Sequence, residues 1–146
     1  MRFLSNKEVK KLKDVLNKYG IKEKRLILYD KAKHELILDE NKKPLLIKID
    51  DKYVPTLLLD VDLPKVIIDL PAVKFIANGA DVMRPGIKEL DLFDKDDVVV
   101  ILDEKYNKKI AIGIALFDSE NIKNMQKGKV IRNVHYVGDE VYNLKL

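Results

Sequence analysis

Residues 110–116 read Ile110-Ala111-Ile112-Gly113-Ile114-Ala115-Leu116, with large and small side chains in strict alternation. Successive strand side chains point to opposite faces. The run therefore predicts a β-strand with a bulky face that fills a core and a small-residue face across which a neighbour can come close. The neighbour expected there is another segment of the same chain. Val98-Val99-Val100-Ile101-Leu102 is an unbroken apolar run, which marks a strand covered on both faces. Around these two the pattern predicts a strand at 66–68, then a short helix with Asp69 as N-cap, Pro71 in its first turn and Gly79 at its close. Ser119 is expected to cap a short turn running through Met125. A further strand follows at 129–136, with Val130, Asn133, Val134 and Tyr136 as inward candidates. Val141, Tyr142 and Leu144 supply a closing apolar tail. Several short strands with one plugging helix suit a small closed or nearly closed β-barrel.

The first sixty residues follow another plan. Ser5 with Glu8 three residues later has the form of a capping box, and Val9, Leu12, Val15, Leu16 and Tyr19 recur at helical spacing. A helix over 6–19 is expected, closed by Gly20 in a left-handed conformation. Strand-like runs at 25–29, 35–38, 44–49 and 53–59 alternate with polar turns, a meander behind a helix. Pro55 marks the last run as an edge strand or a bulge. The acids and proline of Asp60-Val61-Asp62-Leu63-Pro64 suggest a boundary between domains 1–63 and 64–146.

The chain of 146 residues is 47% hydrophobic and 36% charged, a globular composition with no apolar run of the roughly 20 residues that cross a bilayer. Its start, Met1-Arg2-Phe3-Leu4-Ser5-Asn6-Lys7-Glu8, turns charged at once, so a cytoplasmic location is expected. Cysteine is absent, which removes disulfides, thiolate metal sites and thiol nucleophiles together. Neither a nucleophile elbow, a phosphate-cradling loop nor a dinucleotide glycine fingerprint occurs. No catalytic role and no cofactor is therefore expected. Asp91, Asp94, Asp96 and Asp97 lack the spacing of a calcium loop and read as a solvated turn. The net charge of +4 lies in the first half: residues 1–62 hold 15 Lys and Arg against 11 Asp and Glu, and residues 63–146 hold 13 of each.

Two segments carry chemistry suited to RNA. Gly79 to Gly86 bracket a short strand, and an exposed Arg84 there could make forked hydrogen bonds to phosphate. A plain β-turn would use Pro85-Gly86 equally well, and local chemistry leaves both readings open. Near the end, Arg132, His135 and Tyr136 offer guanidinium, imidazole and phenol groups that can stack on bases or bond to ribose. A structural strand would also accommodate them. His34 sits at a turn where exposure is expected.

The run Ile68-Asp69-Leu70-Pro71-Ala72-Val73-Lys74-Phe75-Ile76-Ala77-Asn78-Gly79-Ala80-Asp81-Val82-Met83-Arg84-Pro85-Gly86-Ile87 resembles the start of a PUA domain. Ala111-Ile112-Gly113, Lys127-Gly128-Lys129 and His135-Tyr136-Val137-Gly138-Asp139 continue the resemblance in order. The whole chain looks like the archaeal relatives of the malignant T-cell-amplified sequence protein family, in which a pre-PUA domain precedes the PUA domain. That resemblance implies an α+β fold, an N-terminal α/β-meander and a C-terminal PUA pseudo-barrel with a short plugging helix. It further implies a non-catalytic RNA-binding factor of translation that contacts tRNA or rRNA at the small ribosomal subunit, with a density-regulated-protein-like partner. The matching surface residues are Lys74, Arg84, Lys88, Lys129 and Arg132, with His135 and Tyr136 as stacking groups, gathered along a cationic groove. A detached RNA-targeting subunit of an RNA-modifying enzyme, or a protein-protein adaptor, are the alternatives.

Overall fold

The computed structural model describes residues 1–146. They fall into two compact units, Met1–Val61 with Glu140–Leu146, and Asp62–Asp139. The apolar tail expected to close the second domain thus belongs to the first unit, because nothing in three spaced hydrophobes specifies which core receives them. No helix is long and apolar enough to cross a membrane.

In the first unit the Ser5 hydroxyl accepts the Glu8 N–H at 3.1 Å while the Glu8 carboxylate accepts the Ser5 N–H at 2.9 Å, completing the capping box. Arg2 grips the same carboxylate through both terminal nitrogens, at 2.8 Å each. That pairing and the Ser5 N–H pull the Glu8 pKa down to about 2. The expected helix is two short ones, α1 (Asn6–Lys11) and α2 (Lys13–Lys18), because Leu12 leaves helical geometry at φ −92°, ψ 1°. Gly20, at φ 67°, closes α2 in the expected way. Its N–H reaches Asn17 O, and the N–H of Ile21 reaches Leu16 O, the paired bonds of a Schellman motif.

An antiparallel sheet of order β1-β2-β3-β4-β5 follows: β1 (Arg2–Phe3), β2 (Ile27–Tyr29), β3 (Leu36–Leu38), β4 (Pro44–Ile49) and β5 (Lys52–Pro55). Leu36, Leu38, Leu45, Leu46 and Ile47 are buried, so both faces of the central strands are covered. The last strand is shorter than expected because the Thr56 hydroxyl turns back to Pro44 O at 2.9 Å. Pro55 lies in an edge strand, where a missing N–H costs no ladder bond. His34, expected to be exposed, is half-buried.

The second unit is a six-stranded, nearly closed barrel-like sheet of order β7-β11-β10-β9-β6-β8. Its elements are β6 (Lys65–Ile68), α3 (Leu70–Ile76), β7 (Val82–Met83), β8 (Ile87–Leu90), β9 (Val98–Asp103), β10 (Lys109–Ala115), α4 (Ser119–Asn124) and β11 (Lys129–Tyr136). All pairings are antiparallel except β6 with β9. Every residue of β9 is buried, as its apolar run requires.

Both faces of β10 are largely covered, with Ile112 only 2% exposed, but it is the small row that meets the barrel core. Ala111 pairs with Ile101 and Gly113 with Val99, so the small residues share the face that Val99 and Ile101 present to the core. Ile110 joins the core at a bulge, while Ile112 and Ile114 turn to the other face. The small row faces inward because the interior is already filled by Ile101 and Ile131. A Cβ on Gly113 would stand 2.5 Å from Ile131 Cγ2. The close neighbour is a segment of the same chain, as expected.

Asp69 caps α3, its carboxylate accepting the Ala72 N–H at 2.9 Å. At the other end Gly79, at φ 94°, donates to Ile76 O, and Ala80 donates to Phe75 O, a second Schellman closure. Asp69→Ala should cost about 1 kcal/mol of stability, read as a lower urea midpoint at unchanged m-value. In α4 the cap is Asp118 rather than Ser119. The Asp118 carboxylate takes the Asn121 N–H at 2.7 Å, whereas the Ser119 hydroxyl is buried against the N–H and carbonyl of Phe93. Both residue types suit the cap position, and the contact with Phe93 decides between them.

Candidate nucleic-acid interface

Helix α3, the loop through Ala80 and Asp81, β7, the 3-10 turn Arg84–Gly86 and the first residue of β11 enclose a groove of about 460 Å³. Its lining is mostly apolar: Pro71, Ala72, Phe75, Ile76, Val82 and Met83, with Asp81 and Lys129 as the charged members. Phe75 and Met83 are 58% and 50% exposed although both are large and apolar. The turn lies close against the helix, since a Cβ on Gly86 would stand 3.1 Å from Ala72 Cβ.

A hydrogen-bond network holds this arrangement together. Asp81 accepts the Asn133 N–H at 2.8 Å through one oxygen and pairs with Lys129 Nζ at 2.9 Å through the other. The Asn133 side-chain amide donates to Ile76 O and Ala80 O, both at 3.0 Å, tying the end of α3 and the following loop to β11. The floor is therefore fixed by bonds that span more than fifty residues of sequence.

The residues expected from sequence divide into three groups. Lys129 lines the groove, and Lys74 stands beside it with Nζ 5.1 Å from the centre of the Phe75 ring. Lys88, on β8, is exposed but lines no part of the groove, and Arg132 is half-buried on β11. The remaining three depart from expectation. Arg84 is turned inward: its Nε donates to Ile122 O at 2.6 Å and one terminal nitrogen to Ile87 O at 3.4 Å, so the guanidinium braces backbone carbonyls. His135 is 0% exposed, with Nδ1 2.8 Å from an Asp139 oxygen that also accepts the Tyr136 N–H. Its ring offers no stacking face. Tyr136 is half-buried against the core, its ring under Gly79, where a Cβ would stand 3.0 Å from Cε1.

The concavity is thus an apolar cleft with cations at its edge, not the cationic groove expected. Phe75 and Met83 are the residues that sequence reasoning missed. Phe75 carried a signal, since it is an aromatic placed off the Val73, Ile76 and Ala77 stripe that packs α3 against the core. Asp81 and Asn133 carried none that is local.

Residues 64–137 match the PUA domain family. The chain is 41% identical to an uncharacterised protein of Methanocaldococcus jannaschii, over 98% of this chain and 95% of that one. It is 29% identical to Translation machinery-associated protein 20 of Saccharomyces cerevisiae, over 96% of this chain and 83% of that protein. Malignant T-cell-amplified sequence 1 of Rattus norvegicus matches 64% of this chain and 56% of its own length at 30% identity. Among solved structures, a PUA domain from Aeropyrum pernix crystallised with tartrate matches with a TM-score of 0.79 at 28% identity, covering 97% of this chain and 88% of that one. The motifs of the second unit, its barrel-like sheet and a family match over half of the sequence agree: the chain belongs to the PUA domain family.

Proposed function

We propose that this chain is an RNA-binding factor of the translation apparatus that contacts tRNA or small-subunit rRNA through the groove beside α3. The observation that carries the reading is the exposed Phe75 in an apolar cleft with Lys74 and Lys129 at its edge. An unstacked base can lie on such a ring while its phosphates meet the ammonium groups. Membership of a family whose module binds RNA supports this chemistry. The name of the yeast relative supports the setting in translation. On this reading the chain works in the cytoplasm by binding rather than by catalysis, and a density-regulated-protein-like companion is the partner to seek.

Labelled tRNA and small-subunit rRNA, titrated with the full chain across a salt series, test the proposal. Affinity should fall linearly on a log-log plot, as counterion release requires. Lys129→Gln should reduce the slope by about 0.7–0.9, the loss of one phosphate contact. The Asp81 bond to Asn133 should keep the fold of that variant intact. No binding to either RNA at low salt would overturn the reading. Association with ribosomes that survives high salt and nuclease would favour a protein-protein adaptor instead.

A further inference from the structure

The hairpin between β9 and β10 ends in a tip built to hold one aromatic ring in solvent. Asp103 is buried, and its carboxylate accepts the backbone N–H groups of Tyr106, of Lys108 at 3.0 Å and of Lys105 at 2.9 Å. These donors, Tyr106 foremost, hold the carboxyl below its ordinary range against the burial that opposes ionisation. Asn107 supplies the tight reversal at φ 52°. A turn tied at three points has little freedom left to lose on binding. What it presents is Tyr106, 74% exposed, with Lys105 Nζ 5.1 Å from the ring centre and Lys108 exposed two residues on.

The lysine-aromatic pair of the tip repeats that of the groove, where Lys74 stands over Phe75 at the same distance. The two pairs are mechanically linked. The Glu104 N–H donates to Ile68 O at 3.0 Å, and the Glu104 carboxylate accepts the Leu70 N–H at 3.0 Å, fastening the tip to the first residue of α3. Both carboxylates at the base of the tip, Asp103 and Glu104, are thus engaged by backbone N–H groups. Lys105 and Lys108 stand exposed beside the ring, and with three lysines against two acids residues 103–109 carry a net charge of +1.

From this juxtaposition we infer that the 105–108 tip is a second RNA contact, where Tyr106 stacks on an unpaired base and Lys105 and Lys108 meet flanking phosphates. The footprint then extends from the groove along α3 to the hairpin. The occupant is single-stranded RNA, because a free ring flanked by ammonium groups suits a base with its phosphates. This inference rests on the RNA-binding reading above.

The test uses the full chain, tRNA and an oligoadenylate. Tyr106→Ala should weaken binding to both about 5- to 20-fold, with an unchanged thermal midpoint because the side chain stands in solvent. Tyr106→Trp should keep the affinity. The chain has no other tryptophan, so stacking would appear as quenching by oligoadenylate of that one tryptophan's emission, excited selectively over the tyrosines. Lys105→Glu with Lys108→Glu should lower the salt slope. If Phe75→Glu weakens tRNA binding while Tyr106→Ala and the lysine pair leave it unchanged, this inference falls and the groove reading stands. If the wild-type chain binds neither RNA, both fall. Loss of a protein partner on Tyr106→Ala with RNA affinity intact would also overturn it, in favour of a protein-docking tip.

Discussion

Replacing Gly113 with valine is expected to destabilise the second unit by roughly 3 kcal/mol, at the upper end of the usual cost of overpacking. A Cβ at this position would stand 2.5 Å from Ile131 Cγ2, 3.0 Å from the Arg132 carbonyl oxygen and 3.3 Å from Ile101 Cδ1. A methyl group can rotate aside, but the carbonyl belongs to the β11 backbone and moves only with its strand. Ile131 and Ile101 have no exposed surface, so neither has solvent to yield into. Alanine should cost less than valine, because relief of the first Cβ contact alone is needed. Ile114→Val, on the opposite face of the same strand, should cost about 1 kcal/mol or less. Urea denaturation followed by circular dichroism checks the ranking, and a valine variant as stable as the wild type would contradict the inward placement of the small row.

That placement shows where sequence pattern stops being sufficient. Alternation of period two establishes that residues 110–116 form a strand and that the two faces differ in bulk. It does not say which face meets the barrel core, because the volume available there depends on what partner strands contribute. Here β9 and β11 deliver Ile101 and Ile131 to the same space, and β10 must answer with alanine and glycine. Features decided within a few residues were legible: the Ser5–Glu8 capping box, the Asp69 cap, and the Gly20 and Gly79 closures each depend on contacts no more than five residues apart. The break at Leu12 was not, since the apolar spacing runs through it. The parallel pairing of β6 with β9 was not either, because register between distant strands leaves no local trace.

The candidate site divides along the same line. Lys74 and Lys129 follow from the PUA resemblance alone, and both stand at the groove. Arg84 was misread because its partners, Ile122 O and Ile87 O, are backbone atoms, one of them 38 residues away. Sequence shows a guanidinium and not the carbonyls that claim it. His135 was misread for the opposite reason. Its partner Asp139 lies only four residues on, yet nothing local says that the pair is buried. Phe75 lies off the i, i+3, i+4 spacing of Val73, Ile76 and Ala77, the only trace in the sequence that its ring stands away from the packed face of α3.

Phe75 is also where the largest functional effect is expected. Phe75→Glu should weaken tRNA binding by roughly 30- to 100-fold, combining loss of a stacking surface, worth about 1–3 kcal/mol per base, with a carboxylate set where phosphates approach. Stability should change little, since the ring is 58% exposed and glutamate is a good helix former. Phe75→Trp should bind at least as well as the wild type, because a larger ring stacks more strongly. The contrast between the two separates stacking from mere bulk. Charge reversal at the exposed Lys22 of the first unit serves as the control, and should produce only a small change that vanishes with salt. Filter binding at two salt concentrations distinguishes the contributions: the charge part of the Phe75→Glu loss shrinks as salt rises, whereas the stacking part persists. A Phe75→Glu variant that binds tRNA like the wild type would remove the groove from the interface. The exposed ring would then need another partner, because nothing in the packing of α3 requires a phenylalanine there.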